Sequence, residues 1–250
     1  MDSIDDEYDY LFVIRGEFLT ENFMHKIFEN SNIASKFMYQ WDELQTLPNA
    51  GKIVHFFDRV LSFDCRDCED HNFEYLPLFI TKNFTSEYQQ VAKQYDFSFV
   101  GVYNSHRYKQ ISVLKAIAIK KGYSYNFKLR ISFLRFIINR LFDKTFTLDS
   151  KDVIFKNIPL DEVSKIIQSS RIVVDIVRET QTGLTMRTFE ALGSGVKLLT
   201  NNQSIKKEEF YTADNICLFD ELSEDFILSP FLHNNMEEYY IGSWGDKIFG

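Results

Sequence analysis

Apolar residues in this chain fall in short β-branched or aromatic blocks separated by polar, helix-favouring stretches, the alternation that builds parallel sheets with crossover helices. In the first third, Tyr8–Ile14 reads as a buried strand, Asn22–Asn30 as an amphipathic helix, Lys36–Gln40 as a second strand and Ile53–Phe57 as a third. Shorter apolar runs follow at Val60–Phe63 and Glu74–Phe79, and residues 1–7 read as a frayed acidic leader. A helix over Ser86–Gln94 leads to a second series. It comprises strand Asp96–Val100, loop Gly101–Arg107, helix Tyr108–Lys121 stopped by Gly122, and extended Tyr125–Ile131. Helix Phe133–Phe142, strand Asp152–Phe155 and a helix over Leu160–Ser169 begun at Pro159 come next. The stretch Ser169–Asn202 then reads as buried strand Arg171–Val177, polar loop Arg178–Leu184, helix Thr185–Leu192, a stop at Gly193 and Gly195, and buried strand Val196–Thr200. The first series offers fewer strands than the six of a doubly wound lobe, so the N-terminal part is expected to be abbreviated. An uncovered edge strand invites pairing with another chain, and a homodimer is expected.

Composition narrows the class. The chain has 250 residues, 45% hydrophobic and 16% aromatic, ample for a packed interior. A net charge of −8 argues against a general nucleic-acid binder. No apolar run reaches the ~18 residues of a membrane span, and the acidic start MDSIDDEYD is unlike a signal peptide, so a cytoplasmic location is expected. Three cysteines fit a reducing compartment. Cys65, Cys68 and His71 have zinc-ligand chemistry, but no second Cys/His pair follows at finger spacing, and reduced thiols are expected.

The stretch Ser169–Asn202, through Gly183, Leu184, Glu190, Ala191, Gly195 and Val196–Thr200, resembles the donor-binding signature of GT-B fold glycosyltransferases, most closely the bacterial enzymes that build lipopolysaccharide and capsule. The resemblance implies an α/β, GT-B-like fold: two Rossmann-like lobes with parallel sheets facing a cleft, here residues 1–84 and 85–230. A tail, 231–250, would return to the first lobe on the aromatics Phe231, Tyr239, Tyr240 and Trp244. It also implies a strand-helix-strand portion before Tyr8. Its lack here leaves a naturally short version, a removed segment or a partner-supplied edge as alternatives. The implied activity is sugar transfer from a nucleotide sugar to a glycan or lipid-linked acceptor, without metal or other cofactor. By the same resemblance Glu190 holds the ribose hydroxyls, and Thr182, Gly183, Leu184 and Thr185 line the diphosphate. Many retaining members carry a second glutamate eight positions before the ribose glutamate. Here that position is Thr182, and Glu179 matches only with a shifted loop, so stereochemical outcome stays open.

Other candidates follow from position. Arg187, three residues before Glu190, shares its helix face, although the two could equally form an exposed pair. Ser105, His106 and Arg107 precede a helix, where backbone N–H groups and a guanidinium suit a diphosphate; Arg178 and Gln181 are similar candidates. Among acids at first-lobe strand ends (Glu17, Asp42, Asp58, and Asp64 shortly after), Asp42 beside Trp41 and Glu17 after a glycine are the first choices for a catalytic base; helix capping is the alternative for each. Phe133–Phe142, fringed by Lys128, Arg130, Arg135, Arg140 and Lys144, reads as a core-facing helix with snorkelling arginines, since positions 133, 134, 137, 138 and 141 fit core spacing. The other reading is peripheral contact with an anionic membrane.

Overall fold

A computed structural model describes residues 7–85, 91–178 and 181–250. The chain forms two compact units: Met1–Leu78 with Thr180–Leu184 and Trp244–Gly250, and Phe79–Glu179 with Thr185–Ser243.

The first unit carries a wholly parallel sheet of β1 (Glu7–Ile14), β2 (Asn32–Gln40), β3 (Arg59–Ser62) and β4 (Glu74–Tyr75), in that order. Helix α1 (Glu21–Asn30) joins β1 to β2 and starts on Thr20, whose hydroxyl accepts from the amide of Phe23. The period-2 geometry of β2 separates its side chains. Met38 enters a core with Met24, Leu44, Leu47, Ala50, Ile53 and Phe57, while Phe37 and Tyr39 serve the opposite face. Ile53–Phe57 is not the expected strand: it closes helix α2 (Pro48–Ile53) and a 3₁₀ turn over Val54–Phe56. Pro48 begins the helix, and Ala50, Ile53 and Phe57 recur at helical spacing toward the core, so the apolar run obeys the helical period. Asp58 consequently precedes β3, at the amino end of the sheet, and accepts from the amide of Lys36 at 2.8 Å. Helix α3 (Cys65–His71) follows β3, begun by Asp64 and ended by left-handed Asn72.

The second unit has a six-stranded parallel sheet of β5 (Tyr95–Val102), β6 (Tyr125–Arg130), β7 (Val153–Ile154), β8 (Ser170–Asp175), β9 (Lys197–Thr200) and β10 (Ile216–Leu218). Its spatial order is β10-β9-β8-β5-β6-β7, the doubly wound order, with the switch point between β5 and β8. Helix α4 (Ser105–Lys121) follows β5 and ends on Gly122, whose φ of 76° lets its amide return to the carbonyls of Ala118 and Ile119. β5 runs two residues further than expected and α4 starts three earlier, which shrinks the loop Gly101–Arg107 to Tyr103 and Asn104. Of the helix expected over Ser86–Gln94, residues 86–90 lie outside the described residues and 91–94 are not helical. The core gathers Phe97, Phe99, Phe127, Leu129, Ile172, Val174 and Leu199 from the strands against Ile111, Leu114 and Ala118 of α4.

Helix α5 (Phe133–Phe142) does not face that core: none of its residues is fully buried. Phe136 packs against the cluster through Phe146, and both Phe136 and Phe133 meet the half-exposed ring of Phe155. Helices α6 (Leu160–Gln168), α7 (Met186–Gly193) and α8 (Glu224–Leu228) complete this unit.

The last helix, α9 (Ile241–Phe249), places Trp244–Gly250 in the first unit. Trp244 Nε1 donates to Pro77 O at 2.8 Å, its ring meets Tyr39 edge-on, and Phe249 lies against Tyr10, Phe12 and Phe37. Arg59 Nη1 donates to the Ile248 carbonyl at 2.8 Å and so caps the helix end.

Candidate functional site

In an open α/β sheet, ligands bind beyond the carboxyl ends of the strands that flank the switch point. In the second unit those strands are β5 and β8, and the residues after them form one charged cluster. Arg107, in the first turn of α4, lays its guanidinium over the Phe99 ring and donates from Nε to Ile176 O and from Nη1 to Val102 O, both at 3.0 Å. A long flexible side chain is thereby fixed across the ends of both strands. Burial lowers the Arg107 pKa, Asp175 opposes that shift, and neighbouring Arg178 adds to it. The N–H groups of His106 and Arg107 both point at Asn104 Oδ1, which caps α4; Arg107 therefore contributes through its side chain rather than its amide. Ser105 is exposed at the helix start.

Asp175 ends β8 and is buried. Its Oδ2 accepts from Thr185 Oγ1 at 2.7 Å and Thr188 Oγ1 at 3.5 Å, and Thr185 Oγ1 in turn accepts from the Arg187 amide at 3.1 Å. One carboxylate thus ties the strand end to the cap of α7. Burial raises the Asp175 pKa, against the pull of Thr185, Arg187 and Arg107.

On α7, Arg187 Nη2 donates to Val100 O at 3.2 Å and Nη1 lies 2.7 Å from Glu190 Oε2. The pair is not exposed, as one reading of the sequence allowed: side-chain exposures are 18% and 9%. The contact lies too far off the N–H direction to be a hydrogen bond, and among the described residues Nη1 and Oε2 have no hydrogen-bond partner. Burial raises the Glu190 pKa; Arg187 opposes this and Asp175 reinforces it. A buried acceptor without a donor is costly unless a ligand hydroxyl or amide completes it.

The loop before α7 is held differently. Gly183 N donates to Asp64 Oδ2 at 2.7 Å and Thr182 Oγ1 to Asp64 Oδ1 at 2.5 Å, both within the first unit, and Gln181 Nε2 donates to Gly183 O at 3.0 Å. These donors, expected to line a diphosphate, meet a carboxylate. Leu184 is buried and Thr185 caps α7. A Cβ on Gly183 would stand 2.4 Å from the Phe63 ring, itself buried, so Gly183→Ala is expected to lower the thermal midpoint, corresponding to about 1–3 kcal/mol of overpacking. An unchanged midpoint in calorimetric melting would show that the ring yields freely. Glu179 lies outside the described residues.

In the first unit, Arg15 and Gly16 both adopt positive φ after β1, and a Cβ on Gly16 would stand 2.7 Å from Met38 Cε. The non-glycine outlier Arg15 is the unit's strained position at a strand end. Its guanidinium lies 2.9 Å from Glu17 Oε2 and 3.0 Å from Asp42 Oδ2, which gathers both expected catalytic acids on one cation. Trp41 is exposed beside them. Among the described residues no three His, Cys, Asp or Glu side chains converge on a metal position. The thiol of Cys68 is pushed up to about 12 by burial, and among the described residues neither Cys65 nor Cys68 forms a disulfide.

Asp175, which holds the α7 cap, was not singled out in the sequence, and Asp64, which holds Thr182 and Gly183, was named there only among the candidate acids of the first lobe. The available signal was position alone: each ends or directly follows a strand that precedes a helix or loop.

No curated protein sequence matches the chain. Among solved structures, an alpha-glucosyltransferase in complex with UDP and a 13-mer DNA containing a central A:G mismatch shares 12% identity at a TM-score of 0.52. The match covers 83% of this chain and 61% of that one, so the chain spans about three fifths of that protein's length. UDP-GlcNAc 2-epimerase from Methanocaldococcus jannaschii aligns over 97% of this chain and 98% of its own at 9% identity, with a TM-score of 0.39, too low to support an argument. The first likeness agrees with the two parallel α/β units found here. Residues 90–237 match the family described as "Glycosyl transferase-like", a span that contains Arg107, Asp175, Arg187 and Glu190. The chain belongs to this glycosyl transferase-like family.

Proposed function

We propose that the protein transfers a sugar from a nucleoside diphosphate sugar to a glycan or lipid-linked acceptor of surface-polysaccharide assembly, such as lipopolysaccharide, O-antigen or capsule, without a metal. The observation that carries this reading is the buried Glu190 Oε2, without a hydrogen-bond partner beside Arg187 in the unit whose switch point also holds Arg107. Glu190 accepts from the ribose hydroxyls. Arg107, Arg178 and Arg187 face the diphosphate, and as the glycosidic C–O bond breaks they stabilise the charge that develops on the leaving oxygen. Held in place by strand-end carbonyls, two of these cations need little reorganisation at that moment. An acid of the first unit, Asp42 or Glu17, takes the proton of the acceptor hydroxyl. The structurally similar glucosyltransferase, solved with UDP, supports a uridine nucleotide as the first donor to try. Its DNA does not carry over, since the net charge of −8 disfavours a polyanionic acceptor.

Calorimetry with UDP, GDP, CDP and CMP, followed by a donor screen read by mass spectrometry, tests the proposal. Indifference to all four nucleotides refutes donor binding. Asp42→Asn or Glu17→Gln, whichever is the base, is expected to slow transfer on the order of 100-fold or more while nucleotide affinity holds. The pairing of both acids with Arg15 favours a second reading, a nucleotide-binding assembly partner without turnover, which binding without transfer or donor hydrolysis would support. A CDP or CMP preference would instead identify a glycerophosphate or sialic-acid type transferase on the same scaffold.

A further inference from the structure

Helix α5 turns most of its apolar face away from the protein; Phe133, at one edge of that face, also meets the Phe155 ring edge-on. Placed on a helical wheel at 100° per residue, Phe133, Ile137, Leu141, Leu134, Ile138 and Phe142 fill one half of the circumference, whereas Phe136, the residue that packs against the core, lies on the opposite half. Exposure follows the wheel: Phe133 is 63% exposed, Leu134 69%, Leu141 70% and Phe142 80%. So large a contiguous apolar surface marks a binding face.

Charge identifies the occupant. Arg135 and Arg140 sit at the two borders of the apolar half, one at each edge. Residues 128–144 carry five basic side chains, Lys128, Arg130, Arg135, Arg140 and Lys144, against one acid, Asp143, in a chain whose net charge is −8. This stretch is a basic island on an acidic protein. A second copy docking by the same face would oppose these cations to their own equivalents, because a two-fold interface pairs each patch with itself. An anionic bilayer offers both complements, acyl chains for the apolar half and headgroup phosphates for the arginines that flank it.

We propose that α5 is an interfacial anchor that lays its Phe133–Phe142 face into the headgroup boundary of anionic lipid, with Arg135 and Arg140 on the phosphates. The assignment uses no part of the nucleotide site, so its failure and that of donor binding are separate results.

The test is flotation of the intact protein with vesicles of phosphatidylcholine alone or with about one third phosphatidylglycerol, at low and physiological salt. Binding is expected to the anionic vesicles and to weaken with salt. Arg135→Glu with Arg140→Glu should cut the partition coefficient at least roughly 25-fold, at about fivefold per basic residue lost. Leu134→Glu with Leu141→Glu should abolish binding, and both positions are exposed enough to leave folding intact, which circular dichroism checks. Phe142→Trp should show a blue-shifted emission with anionic vesicles, quenched by brominated lipid. No flotation of the wild type at low salt overturns the proposal, as does binding that survives both double variants. A dimer that the Leu134→Glu, Leu141→Glu protein dissolves in sedimentation, without vesicle binding by the wild type, would assign the face to a second copy instead.

Discussion

Glu190→Ala is expected to weaken nucleotide binding by about 1–3 kcal/mol, roughly five- to 150-fold, while the protein remains folded. The side chain is buried, and its close contact with Arg187 at 2.7 Å is an ion pair but not a hydrogen bond. Truncation removes that ion pair but no hydrogen bond of Oε2, and Arg187 keeps Val100 O as an acceptor. In the complex the loss is larger, because ligand hydroxyls desolvated against Glu190 would have no acceptor. Glu190→Gln keeps an acceptor oxygen without the charge and should fall between the two. Titration calorimetry with the preferred nucleotide reads the difference. Equal affinity for the wild type and Glu190→Ala would place the ribose elsewhere, whatever the outcome for transfer.

The second large effect is on stability. Asp175→Ala is expected to cost about 3–5 kcal/mol and lower the melting midpoint on the order of 10 °C. The change strands Thr185 Oγ1 and Thr188 Oγ1 and removes the anion that faces Arg107 and Arg187. It also unties β8 from the α7 cap, so a nucleotide affinity loss should accompany it. Asp175→Asn keeps an acceptor for Thr185 and should cost less. The pH dependence has a definite sign. Burial raises the folded-state pKa of Asp175 above its unfolded value, so the folded protein holds the proton more tightly. That contribution to stability is full below the unfolded value and is lost as pH rises through the folded one. Asp175→Asn cannot take up that proton, so its melting midpoint should gain on that of the wild type as pH rises from the acid side. A midpoint for Asp175→Ala equal to that of the wild type would mean that the carboxylate organises nothing.

Much of the second unit was legible from local rules. The β-branched block Arg171–Val177 gave β8, Gly122 the end of α4, and the pattern around Thr185 and Gly193 the extent of α7, to within two or three residues. In each case the deciding signal lies within a few residues of chain: a period, a cap or a left-handed stop. Ile53–Phe57 misled because five apolar residues fit either period when the preceding Pro48 start is overlooked. Phe133–Phe142 was recognised as a helix but not for its orientation. Core spacing and membrane spacing are the same pattern, and only the contacts of Phe136 show which side is inward.

By itself the amino-acid sequence determined the alternation of strand and helix, the doubly wound character of the larger unit, and the loop-helix around Gly183 and Glu190. These are set by side-chain period and by backbone conformations that few residues tolerate. The tertiary structure alone decided that Arg107 lies fixed across β5 and β8, that Asp64 meets the amide of Gly183, that Arg15 gathers Glu17 and Asp42, and that Glu190 is buried with an acceptor to spare. Those facts depend on contacts that packing sets between segments as many as 119 residues apart, beyond the reach of any local pattern.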